Sequence, residues 1–106
     1  MTTHKGNITS FDLSIKSTTL TDYTRLIHLQ GDFGLAFLYF VPDSKALKPN
    51  AKRDGEKTFD VWYRIDDWSP IVDLLRHKEN PWFWFDEAHQ DAGVRTTNVD
   101  ITAHAL

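Results

Sequence analysis

Pro81-Trp82-Phe83-Trp84-Phe85-Asp86-Glu87 sets four consecutive aromatic rings between a proline and two acids. Side chains alternate across a strand, so Trp82 and Trp84 fall on one face and Phe83 and Phe85 on the other. A strand that is apolar on both faces must be covered twice, and what supplies the two covers decides the fold. Phe83 and Phe85 are assigned to the core. The Trp82/Trp84 face is left to the protein's own helix, a partner protein or a ligand.

Working outward, Asn80-Pro81 closes a helix that opens at Asp67-Trp68-Ser69-Pro70, where an acid or serine caps free N–H groups and proline suits the first turn. Ile71, Val72, Leu74 and Leu75 form its apolar stripe, and Arg76-His77-Lys78 places positive charge at its negative end. Upstream, residues 58–66 alternate cleanly: Phe59, Val61, Tyr63 and Ile65 face inward, while Trp62 stands on the polar side with Asp60 and Arg64. Residues 33–41 are apolar on both sides and read as a central strand. Gly31-Asp32 is read as a two-residue hairpin connection back to a strand over 23–30. A first strand runs over 8–16, with Phe11, Leu13 and Ile15 on one face. Downstream, Gln90-Asp91-Ala92-Gly93 is read as a turn before a last strand over 94–101.

The predicted fold is mainly β (α+β): a small antiparallel β-barrel or curled sheet of five to six strands, with one α-helix between the fourth and fifth. Counted from Tyr23, the order strand, strand, strand, helix, strand, strand resembles that of an OB-type barrel, which binds oligonucleotides and other ligands across one sheet face. The chain of 106 residues is expected to be a single domain, with a polar leader over 1–7, a long basic loop over 43–57 and a tail over 102–106.

The absence of cysteine excludes disulfides and thiolate chemistry and suits a reducing, cytoplasmic setting. No apolar run approaches the ~20 residues a membrane-spanning helix needs, so no membrane partner is expected. The net charge of −3 divides into +2 over residues 1–57 and −5 over 58–106, which argues against a dedicated duplex binder. The basic loop carries Lys45, Lys48, Lys52, Arg53 and Lys57.

Asp86-Glu87-Ala88-His89 spells a helicase tetrapeptide, but the phosphate-cradling loop that motif works with is missing, so the match is coincidental. The five histidines form no ligand ladder; the local set Asp86, Glu87, His89 and Asp91 reads as a solvated turn. Neither a nucleophile elbow nor a pair of carboxylates held across a cleft is legible. No catalytic residue, metal ligand or cofactor is assigned.

The expected function is that of a non-enzymatic binding module recognising a protein partner, or a second copy of itself, through an aromatic sheet face built from Trp62, Trp82 and Trp84 with Arg64, Lys52 and Arg53 beside it. Single-stranded nucleic acid stacking on the same rings is the alternative. A small-ligand barrel and a regulator or inhibitor of a larger complex fit the same size and acidity.

Overall fold

The computed structural model describes residues 2–17, 20–77 and 79–96. The strands are β1 (Thr3–Ile15), β2 (Arg25–Gly31), β3 (Gly34–Val41), β4 (Ala51–Lys52), β5 (Thr58–Arg64), β6 (Pro81–Asp86) and β7 (Asp91–Thr96). A single 3-10 turn, Ile65–Asp67, leads into α1 (Trp68–His77). The mainly β class holds, with seven strands among the described residues in one curled, mixed sheet ordered β4-β5-β3-β2-β1-β6-β7. Among the described residues no helix is long and apolar enough to cross a membrane.

The curl originates in β1. Residues expected as a polar leader form its first half, because residues 3–7 pair antiparallel with β6 while residues 8–15 pair antiparallel with β2. The register shifts between Ile8 and Ser10. This extra residue bends the strand and reverses its parity. His4, Gly6 and Ile8 face inward before it, and Phe11 and Leu13 face inward after it. One strand therefore belongs to two sheet halves whose apolar faces are folded toward each other.

Phe59 of β5 consequently meets Phe83 and Phe85 of β6 across the interior, at ring-centroid distances of 5.5 and 5.0 Å. Ile27, Leu29, Ala36, Leu38 and Phe40 complete the sheet side of the core, and all are fully buried. The helix closes it from the inner side, with Trp68 set edge-on to Phe40 at 5.0 Å and Ile71 and Leu75 buried beside it. The helical turn begins at Ile65, two residues before the expected cap at Asp67.

Three further expectations are corrected. The sheet is not wholly antiparallel, because β3 and β5 run parallel from Leu35↔Thr58 to Val41↔Arg64. A parallel neighbour needs a long return connection, which is what the 43–57 segment supplies, and β4 forms within it. The β2–β3 turn is Asp32-Phe33 rather than Gly31-Asp32, since Gly31 pairs with Gly34. Phe33 thus leaves the strand and packs on Phe83 at 4.8 Å. Finally, Ala92 and Gly93 lie in β7, where Gly93 pairs with Trp84. The expected last strand beyond 96 and the tail over 102–106 lie outside the described residues.

Glycine is required where the hairpin meets β1. A Cβ on Gly31 would overlap the Asn7 carbonyl oxygen, a backbone atom that cannot swing away. Gly31→Ala is expected to destabilise the protein by about 2 kcal/mol or more in urea unfolding. Gly55→Asn, at a φ of 71° with open space around it, should cost well under ~1 kcal/mol in the same assay.

Candidate functional site

The largest group of half-buried rings lies on the outer face of β2, β3 and β5. Odd-numbered residues of β3 point away from the core, which puts Phe37 and Tyr39 outside, and the even-numbered Trp62 of β5 joins them through the pair Tyr39↔Trp62. Their rings stack at 4.2 Å with an interplanar angle of 18°. Tyr23, just before β2, packs edge-on to Tyr39 at 4.9 Å. At the other end His28 lies flat on Phe37, 4.7 Å away and 8° from parallel. The result is an aromatic ladder, His28–Phe37–Tyr39–Trp62, with Tyr23 against its side.

Cations cover the faces these rings leave free. Lys48 lies 4.9 Å from the Trp62 ring, Arg53 4.9 Å from Phe37, and Lys16 4.5 Å from Tyr23. Lys48 is also paired with Asp22 at 3.1 Å. Arg53 grips Asp60 with two parallel bonds of 3.0 Å, Nε to Oδ2 and Nη2 to Oδ1. The Tyr39 hydroxyl donates to Asp60 Oδ1 at 2.7 Å. The crossover segment thus lays Lys48 and Arg53 over the ladder as a partial cover.

Burial, and then the bond to the Asp60 carboxylate, push the Tyr39 phenol up from its ordinary 10 to about 12. Asp60 in turn holds the Arg53 guanidinium above its ordinary range, chiefly through their hydrogen bonds. The site is a charged and aromatic surface in which Asp60 joins the Tyr39 hydroxyl to the Arg53 guanidinium. His28 places Nδ1 4.0 Å from Asp12, and its buried Nε2 has no hydrogen-bond partner among the described residues.

The expected site residues are brought together only in part. Trp62 and Arg53 join the ladder. Arg64 lies on the same face but donates to the Lys45 carbonyl at 2.7 Å and the Pro42 carbonyl at 3.4 Å, pinning the start of the crossover. Lys52 sits on β4 beside Phe85 and Glu87, away from the ladder. Trp82 and Trp84 are separated from Trp62 by β1, β2 and β3. Because Phe59, Phe83 and Phe85 meet inside, the tryptophans of opposite parity on the same strands point away from one another. Trp82 lies between Arg95 at 4.9 Å and Lys5 at 6.0 Å, and Trp84 lies over Gly93.

Tyr23, Phe37, Tyr39, His28 and Lys48 are not among the expected site residues, although Lys48 belongs to the basic loop and His28, between apolar neighbours, reads as a core or interface histidine. The usable signal is the alternation of 33–41, which places Phe37 and Tyr39 on one face without naming the neighbouring strand. Asn50 is a second omission. Its Oδ1 accepts the Trp62 backbone N–H at 2.8 Å, and its Nδ2 donates to the Gln90 carbonyl at 3.1 Å, tying the crossover to the β6–β7 turn.

That turn contains the Asp86-Glu87-Ala88-His89 tetrapeptide. Asp86 accepts the Ala88 N–H at 3.0 Å and meets His89 Nδ1 at 2.8 Å, while Glu87 meets His4 Nε2 at 2.5 Å. The acids and histidines are thereby split into two separate pairs. Hydrogen bonding within the exposed pair lowers the Asp86 carboxyl and raises the His89 imidazole. Compared with protein-family models, with curated proteins and with solved structures, the chain matches none.

Two titrations check these electrostatics. The neutral Tyr39 phenol is favoured in the folded state, so its contribution is intact below 10 and is lost as the pH rises through about 12. Ultraviolet titration of tyrosinate should show this late step, and Asp60→Asn should bring it earlier. By proton NMR, Asp86→Asn should shift the His89 titration downward. The Asp86–His89 attraction operates only between the lowered Asp86 and raised His89 titrations and fades outside that window.

Proposed function

We propose that the protein is a non-enzymatic binding module that docks a protein partner on the outer face of β2, β3 and β5, with Trp62, Tyr39 and Tyr23 as its aromatic anchors. The observation that carries this reading is the half-buried ladder itself. Aromatic rings held rigid by stacking present contact area at little entropic cost, and Trp and Tyr are the residues on which interface energy concentrates. Asp60, Arg53 and Lys48 supply a polar rim around them.

Stacking geometry favours a protein over single-stranded nucleic acid. Bases bind by lying on open ring faces. Here Trp62 has Tyr39 on one face and Lys48 close by, and Phe37 has His28 on one face and Arg53 beside it. What remains outward is ring edges and polar atoms, which suit side-chain packing. Lys48 and Arg53 are also neutralised by Asp22 and Asp60, which weakens their pull on phosphate.

Comparative capture tests the proposal, using the full chain immobilised as wild type, as Trp62→Ser and as Trp84→Ser, each first shown to unfold cooperatively. The expected result is a protein retained by wild type and Trp84→Ser and depleted roughly tenfold or more by Trp62→Ser. Retention that survives Trp62→Ser and is lost with Trp84→Ser would overturn it. So would tight, salt-sensitive binding of a labelled single-stranded oligonucleotide that depends on Trp62.

A further inference from the structure

The two edges of the sheet are finished differently. On the β5 side the edge is blunted: β4 is only two residues long, Pro49 lies just ahead of it, and the Asn50 side chain takes the Trp62 N–H. At the other end β7 has β6 on one side and, among the described residues, no strand on the other. Its sequence, Asp91-Ala92-Gly93-Val94-Arg95-Thr96, exposes two charged side chains of opposite sign, Asp91 and Arg95. It holds no proline, no lysine and no inward-facing charge, and its six-residue pairing with β6 runs without a register shift.

Parity along β7 is well defined. Ala92 and Val94 pack toward the core, opposite Phe85 and Phe83, so Asp91, Gly93 and Arg95 point outward. Alongside runs an open cleft of about 320 Å³ that Tyr63, Ile71, Ala92 and Val94 share with Asp67 and with Trp84. Beside this edge there is room, bordered by apolar side chains and one acid, Asp67. The outer side carries one acid and one base, placed symmetrically about a glycine.

We propose that β7 pairs antiparallel with β7 of a second copy, about a two-fold axis through Gly93. The occupant follows from the charge pattern, which is self-complementary in this register. Asp91 faces Arg95 of the second copy and Arg95 faces its Asp91, giving two opposite-charge cross-strand pairs on the outer side. On the inner side Ala92 faces Val94 of the second copy, and both border the cleft. At the axis the two glycines meet with no side chains to clash, flanked by the Trp84 rings that already lie over them. A two-fold interface requires this kind of matching, residue i on j and j on i. The surface is distinct from the ladder face, so this proposal and the partner-binding one stand or fall separately.

Sedimentation equilibrium of the full chain over a wide concentration range tests it. Wild type should dimerise. Asp91→Arg and Arg95→Asp should each weaken the dimer roughly tenfold or more, since each sets like charges opposite one another twice. An equimolar mixture of the two variants should recover it, because both contacts then become opposite-charge pairs; this also shows that neither variant has merely misfolded. A wild type that stays monomeric at every concentration overturns the proposal, and slow hydrogen exchange along β7 in that monomer would place the cover within the same chain. A dimer indifferent to both substitutions, or a mixture that fails to recover association, overturns it equally.

Discussion

The meeting of Phe59 with Phe83 and Phe85 is the interaction on which the rest of the structure depends. These rings come from strands separated by β3, β2 and β1 in the sheet, so they can touch only if the sheet is folded back on itself. Each buried ring removes roughly 150 to 250 Å² from water, and the three are fully or almost fully buried. Phe33, pulled out of its strand into the β2–β3 turn, adds a fourth ring to the same cluster.

That contact fixes the outside as firmly as the inside. Strand alternation gives each inward phenylalanine an outward neighbour, so the side of the sheet carrying Trp62 faces away from the side carrying Trp82 and Trp84. The molecule therefore has two aromatic exteriors with different dressing. One is a stacked ladder threaded with Asp60, Arg53 and Lys48 on the crossover side. The other is a pair of indoles, one between Lys5 and Arg95 and one covering Gly93.

Local pattern was legible wherever it repeated. The alternation of 58–66, the apolar stripe of the helix and the inward placement of Phe83 and Phe85 all follow from side-chain period alone. Pairing between distant strands leaves no such trace. Residues 3–7 look like a polar leader because His4, Lys5, Gly6 and Asn7 show no apolar alternation, yet they complete a ladder with β6. β4 is too short to carry a period, and the parallel return from β3 to β5 depends on where the chain must go rather than on which residues it contains. Gly93 reads as a turn residue in isolation; in the sheet it is the space that the Trp84 indole fills. For the same reason Trp62 was identifiable as an oddity on a polar face, while its actual companions, Tyr39 and Tyr23, were not.

The inward phenylalanines of β5 and β6 meet and thereby send Trp62 and Trp84 to opposite exteriors. Aromatic-edited NOE spectroscopy of the isotope-labelled protein measures this directly. Cross-peaks are expected from the Phe59 ring to both Phe83 and Phe85, and from the Trp62 indole to Tyr39. Cross-peaks between the Trp62 and Trp84 indoles within one chain, with none from Phe59 to Phe83 or Phe85, would contradict it.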